Sequence, residues 1–360
     1  MGKRLSLFPM NRDLCAVARY ADLLYEYKLT HLFVPRYLRM GGNDVCRLDG
    51  GTHTYMSLTD YSKDKLRECD VLYMDFDEAV VSIDFCKEII SHAKEMNVEI
   101  MPSRMLRKKL HDEFDTLPAT EEVPFAESPE DDILHEINIP VVMVLSHGLL
   151  TDQLAVEFAL RRHFTEAGYK VAQIGSHDVC ELFGYTDMPD FMLKPADAYE
   201  KIVRFNRYTS NMALDEMYEI MIIGVPGAIV KYSDRKLQGL GVLPFIICNA
   251  VRSDVTVACT HYAEYEKIFF DEVARYGKYR LGSPIHFFNM ANTSVAPDQS
   301  IVQDTTLLTY TNLESSFVLN TLKGIKADGY HLFNALDKDS VKEACVAVQS
   351  ILSGNAPFIR

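Results

Sequence analysis

The chain has 360 residues, 48% of them hydrophobic and 24% charged, with a formal net charge of −14. That length supports two domains with sizeable cores, the composition excludes a disordered chain, and the acidic balance disfavours nucleic-acid binding through a broad basic face. No apolar run is long enough to span a bilayer, and the N-terminus lacks a secretory pattern, so a cytoplasmic protein without membrane contact is expected. Eight cysteines, none in a CxxC pair and several inside apolar segments, read as buried free thiols in a reducing compartment rather than as disulfides or a zinc site.

Along the chain, RLSLFPM (4–10) reads as a strand and DLCAVARYADLLYEY (13–27) as a helix. THLFVPR (30–36) is the next strand. The glycine-rich stretch GGNDVCRLDGGTH (41–53) follows, either a flexible loop or a wrap around a ligand. CDVLYMDFD (69–77), SIDFCKEIISHAKEMN (82–97) and VEIMPS (98–103) continue as strand, helix and strand. Short apolar strands alternating with helices imply parallel βαβ units. Residues 1–111 are therefore expected to form a Rossmann-like α/β domain.

Residues 112–138 carry ten acids between Asp112 and Glu136, no Lys or Arg, and three prolines. They read as an acidic linker. Removing those ten acids takes the formal charge to −4, so the rest of the chain is close to balanced.

A second α/β domain is expected over 139–360. IPVVMVLSHG (139–148) is a strand running into a loop. TDQLAVEFALRRHFTEAG (151–168) is a helix, apolar nearly all round in its first half and ended by Gly168. YKVAQIGS (169–176) is a strand, 195–215 a helix, and YEIMIIGVPG (218–227) a strand ending in a Gly-containing turn. Strand and helix signals recur over 254–262, 263–277 and 284–295. A final strand–helix pair covers 329–354, capped by Asp337.

The stretch Ser146–Gln153 has the setting of a phosphate loop, a buried strand end followed at once by a helix N-terminus. A working P-loop needs Gly-Lys-Ser/Thr at its end. Here Gly148 is present, but Asp152 and Gln153 stand where Gly-Lys belongs. Three readings are open: an ordinary βα turn capped by Thr151 or Asp152, an altered anion site, and an NTPase. The cofactor-binding candidates are Ser146, Gly148, Thr151, Asp152, Gln153, Gly224 and Gly227, the last two because strand ends in doubly wound sheets receive ligands. Cys259 and His261 share a strand face, and His177, Asp178 and Cys180 cluster in sequence, but neither group has a recognised catalytic or metal spacing. No catalytic residue is assigned, and no metal site.

The segment 139–191 resembles the second-domain core of bacterial peptide maturation system proteins, found with ribosomally made, cysteine-bearing peptides of the bacteriocin type. The resemblance rests on FALRR (158–162), EAGYKVAQIG (166–175) and LFG (182–184), with LFPMNRD (7–13), RYADLL (19–24), DGG (49–51) and GVPG (224–227) in support. It implies an α/β fold of two Rossmann-like, doubly wound domains, the second similar to a P-loop NTPase-like domain with a degenerate loop. It further implies a role in peptide natural-product biosynthesis, with a precursor peptide and a radical-SAM maturase as partners; the acidic surface and the missing lysine at Asp152–Gln153 favour an accessory, pseudoenzyme part there, with no resident cofactor and no NTP hydrolysis. A homo-oligomer is compatible with it. The alternative is an enzyme of transferase or ligase type, dependent on a nucleotide or small ligand in an interdomain cleft.

Overall fold

The computed structural model describes residues 2–114, 133–215, 217–297 and 308–355. Most of the acidic stretch, 115–132, lies outside the described residues. The chain divides into two compact α/β units.

The first unit takes in described residues 2–49, 53–114 and 178–184. Its strands are β1 (Lys3–Phe8), β2 (Tyr27–Val34), β3 (Leu58–Asp60), β4 (Val71–Met74) and β5 (Glu99–Pro102). Its helices are α1 (Cys15–Arg19), α2 (Cys46–Asp49), α3 (Lys63–Leu66), α4 (Ile83–Glu95), α5 (Arg104–Lys109) and α6 (His111–Phe114). The strands run parallel in the order β3-β2-β1-β4-β5, the order of a Rossmann half-sheet. Phe8, Phe33, Leu72 and Met74 pack against Cys86, Ile89 and Ile90 of α4. Ser82 and Ser103 cap α4 and α5 through Phe85 N–H and Leu106 N–H.

The helix expected over 13–27 is much shorter. Tyr20 leaves the helical region (φ −117°, ψ 26°), and the chain enters β2 at Tyr27. Tertiary contacts override the periodicity there. Arg19 is drawn into a buried bidentate pair with Asp49, at 2.6 and 2.7 Å.

The second unit takes in 50–52, described residues 133–177, and those from Tyr185 onward. Its strands are β6 (Val141–Ser146), β7 (Val171–Gly175), β8 (Thr186–Asp187), β9 (Ile220–Ala228), β10 (Val255–Tyr262), β11 (Ile285–Pro297), β12 (Leu308–Asn312) and β13 (His331–Phe333). Its helices are α7 (Gln153–Glu166), α8 (Asp190–Leu193), α9 (Ala198–Asp215), α10 (Leu243–Ala250), α11 (Lys267–Tyr276), α12 (Ser315–Gly324) and α13 (Lys338–Asn355). The sheet order is β12-β11-β10-β6-β9-β7-β8, with β13 also beside β11. Among the described pairs only β11–β12 is antiparallel.

Helices cover both faces of this sheet. Phe205, Ile246, Ile247 and Phe270, from α9, α10 and α11, fill one face with Met143, Ile174 and Ile223. Helix α7 lies on the other face against β6, β7 and β9, with α13 beside it. This explains why Gln153–Leu160 is buried throughout. Helix α7 closes with Tyr169 N–H bonded to Phe164 C=O and Gly168 at φ 90°, the six-to-one closure that a C′ glycine permits. Asp337 caps α13 by accepting from Ser340 N–H at 2.9 Å.

Candidate functional site

In an open α/β sheet, ligands bind outside the C-terminal ends of the strands, where successive connections leave in opposite directions. In the second unit that point is the end of β6. The chain passes from β6 toward β7 on one side, and from β9 across to β10 on the other. The loop Ser146–Asp152 leads from there into α7.

The loop is closed by the protein's own groups. The Ser146 hydroxyl sits at its centre, donating to Gly148 C=O, receiving Gly148 N–H at 3.2 Å, and lying 2.8 Å from the Thr151 hydroxyl. His261 Nε2 donates to Leu149 C=O at 2.6 Å, and Asn289 Nδ2 to Thr151 C=O at 2.9 Å. Leu150 and Asp152 hold left-handed backbone at φ 59° and 57°, a conformation L-residues adopt at a cost and keep where neighbours fix it. A Cβ on Gly148 would stand 2.4 Å from the His261 ring and 3.0 Å from Gln238 Oε1. Gly148 thus makes room for protein side chains.

Neither expected cap is present. Asp152 occupies the N-cap position but makes no side-chain capping bond; its Oδ2 accepts from Asn292 N–H at 2.9 Å. Thr151 is tied to Ser146. Gln153, at the position of a P-loop lysine, turns into the sheet and donates its amide to Val144 C=O and Val225 C=O, both at 2.9 Å. The reason lies in β9. Val144 pairs with Gly224, but Ser146 pairs with Ala228, so β9 carries extra residues between them. Val225 C=O falls in this irregularity, and Gln153 supplies a donor to it.

GVPG (224–227) is therefore part of β9 and not a turn that ends it. Gly227 takes φ 88°, and Ala228 N–H bonds Gly239 C=O at 2.9 Å. At Gly224 the missing Cβ admits the Glu157 carboxyl, whose Cδ lies 2.2 Å from where that Cβ would be.

Glu157 is the group that sequence reasoning missed. It is fully buried on α7 and receives both the Ser176 hydroxyl (2.5 Å to Oε1) and Ser176 N–H (3.2 Å to Oε2). His177 Nδ1 lies 2.7 Å from the same hydroxyl. Burial raises Glu157 to about 7, against the opposing pull of Ser176 and His177. The carboxyl, hydroxyl and half-buried imidazole form a chain along which a proton can pass. Nearby on β7, Gln173 is 2% exposed, and neither its side-chain oxygen nor its nitrogen has a hydrogen-bond partner among the described residues.

A second polar layer closes the β11 side. Asn289, Asn292 and Asn334 are each 0% exposed. Asn334 Nδ2 donates to Asn292 Oδ1 and Asn292 Nδ2 to the Ser315 hydroxyl, both at 2.8 Å. Ala335 N–H donates to Asn289 Oδ1, also at 2.8 Å.

The remaining sequence candidates separate. Cys259 is buried, and its thiol is pushed well above its ordinary value by that burial, then by Glu157 and Asp152. His261 commits its Nε2 proton to the loop, so a thiolate–imidazole pair is not formed. Asp178 belongs to the first unit, where it accepts from the Tyr73 hydroxyl at 2.9 Å and from Arg104 N–H, whereas His177 belongs to the second.

The loop is also poor in positive charge. It contains no Lys or Arg. His147 is pushed down to about 4 by burial and then by His261, and is neutral at physiological pH. A polyphosphate would find no cation in the loop, and an Asp at the helix start.

No protein-family profile matches this chain. No curated protein matches it either. Among solved structures it is similar to a DUF1611 family protein from Anabaena variabilis, with TM-score 0.58 and 12% identity, over 98% of this chain and 100% of that one. This is a likeness of fold, and it extends over both α/β units. A GTPase from Pyrococcus abyssi, crystallised in apo form, aligns at 15% identity over 43% of this chain and 68% of that one, with TM-score 0.27.

Proposed function

We propose that this protein is a non-hydrolytic accessory factor in the maturation of a ribosomally synthesised, cysteine-bearing peptide, acting in the cytoplasm as a binding protein for the precursor peptide, its radical-SAM maturase, or both. The resemblance of FALRR (158–162) and EAGYKVAQIG (166–175) to peptide maturation system proteins supports the setting. One observation carries the absence of NTP chemistry: the Gln153 amide is spent on Val144 and Val225 carbonyls, so the side chain in the lysine's place faces the sheet. Eight free thiols fit a reducing compartment. No helix among the described residues is long and apolar enough to cross a membrane.

The test has two arms. Mg-ATP and Mg-GTP at millimolar concentration leave the thermal unfolding midpoint unchanged, and a precursor peptide encoded beside the gene binds at tens of micromolar or tighter. A nucleotide-dependent rise in midpoint that disappears in Gly148→Val would overturn the non-hydrolytic reading. Failure to bind either peptide or maturase would overturn the accessory one.

A second reading, a small-ligand enzyme, is favoured by the Glu157–Ser176–His177 chain, because buried acids poised near neutrality are common among proton-transfer groups. It requires that Glu157→Gln abolish a turnover that the wild-type protein supports.

A further inference from the structure

The glycine-rich stretch 41–53 plays no part in the loop chemistry of the second unit. Within the first unit its fold brings three donors of different chemistry together. One ligand atom from each of Asp44, Cys46 and His53 lies within 4.8 Å of the other two. Of the eight cysteines, seven are buried and Cys46 is not. His53 stands at the surface, with Nδ1 3.4 Å from Asp44 Oδ2 and its side chain 71% exposed.

The carboxylate is oriented before any ligand arrives. Asp44 Oδ1 accepts from Cys46 N–H at 2.8 Å, from the Thr54 hydroxyl at 3.1 Å and from Thr54 N–H at 3.2 Å. Those bonds fix the side chain and leave Oδ2, which receives only the longer 3.3 Å contact from Thr54 N–H, turned toward His53. The surrounding backbone is laced in the manner of a short hairpin. Val45 N–H bonds Met56 C=O at 3.0 Å, Leu58 N–H bonds Asn43 C=O at 2.7 Å, and Asp44 bridges Ser57. The donor on each arm is therefore held by a framed loop.

We propose that Asp44, Cys46 and His53 form a binding site for a zinc-class divalent cation, with three protein ligands and a fourth position open to water or one exogenous donor. The chemistry of the set selects the ion. A thiolate with an imidazole favours zinc and its neighbours over magnesium or calcium, and one carboxylate completes a site of ordinary charge. Zinc bonds of about 2.0–2.3 Å place tetrahedral donors roughly 3–4 Å apart. The Asp44–His53 separation of 3.4 Å already lies in that range, and no pair of donor atoms is more than 4.8 Å apart. Cys46 loses its proton to solvent on binding, and the metal takes its place. Thr54 serves as a positioning residue, since its hydroxyl and N–H orient the carboxylate from behind.

Cobalt(II) tests the site in the full-length protein after treatment with a chelator. One equivalent produces tetrahedral visible bands and a thiolate-to-cobalt charge-transfer band in the near ultraviolet, and zinc displaces both. Cys46→Ser removes the charge-transfer band, and His53→Ala weakens cobalt affinity at least ten-fold. Thr54→Val, which keeps all three ligands, weakens it on the order of ten- to a hundred-fold. In wild-type protein, saturating zinc slows alkylation of Cys46, a readout that needs no variant to fold. The proposal fails if no thiolate band forms at one equivalent, if the band survives in Cys46→Ser, if His53→Ala binds as wild type does, or if zinc leaves the alkylation rate unchanged.

Discussion

Replacing Gln153 with Leu removes the donor between β6 and β9 while keeping the volume of the side chain. Gln153 is 7% exposed and both of its bonds are 2.9 Å long. The Val225 carbonyl lies where the β6–β9 register shifts, and Val225 is fully buried, so water does not readily take the amide's place. Val144 is in register with Gly224 in the β6–β9 ladder, so the loss falls chiefly on the Val225 carbonyl, and a buried carbonyl left without a donor costs about 1–3 kcal/mol. For a unit of this size each kcal/mol lowers the midpoint by about 2–4 °C, giving a fall of roughly 2–12 °C. Urea unfolding followed by circular dichroism measures the loss, with the second unit's transition resolved separately. Gln153→Glu sets the ordering, because a carboxylate aimed at two carbonyls must be less stable than Leu. A loss below about 0.5 kcal/mol for Leu, or Glu tolerated as well as Leu, would refute the assignment of the amide to the sheet.

Glu157 gives a pH prediction. Its folded value of about 7 lies above its ordinary 4.5, so folding takes up a proton between those values. Its stabilising contribution is complete below that window and lost as pH rises through it, by about 3 kcal/mol at pH 8. Relative to Glu157→Gln, wild-type stability should therefore fall between pH 4.5 and 8, and parallel curves for the two proteins would contradict the buried acid. Gly224→Ala should destabilise by about 1–3 kcal/mol through collision with Glu157, and much less in a Glu157→Ala background; equal losses in the two backgrounds would rule the collision out. Arg19→Leu should cost about 3–5 kcal/mol because it removes the bidentate partner of the buried Asp49 carboxylate, 1% exposed, and Arg19→Lys should recover only part, as measured by chemical unfolding of the first unit.

Much of the scaffold is legible in residue order. Short apolar runs such as VVMVL (141–145) and VAQI (171–174), alternating with helix signals, read as buried parallel strands, and β6, β7 and β9–β11 form where such runs occur. Helix α10 escapes notice because LPFIICNA is apolar on every side, which hides its period. The site divides in the same way. The strand–loop–helix frame at Ser146–Gln153 can be read from glycine and helix signals, and so can the lost lysine. The direction of the Gln153 side chain cannot, since it depends on an irregularity in β9, a strand 67 residues further along. Glu157 is concealed for a related reason: a lone acid in an apolar helix face has no local signature, and its partner Ser176, just past the end of β7, and its glycine cradle at Gly224 in β9 come from distant parts of the chain.

The exchange of short segments between the units bears on how the chain is made. Residues 178–184 pack with the first unit, and 50–52 with the second. The buried Tyr73 hydroxyl and Arg104 N–H therefore have no Asp178 to bond until translation has passed well beyond α6. At about 5–20 residues per second, the stretch between Phe114 and Asp178 holds that completion back by roughly 3–13 s on the ribosome. Strand β4 must wait that long with its tyrosine unsatisfied. A nascent chain halted within the acidic stretch should accordingly resist proteolysis less than one halted past Gly184.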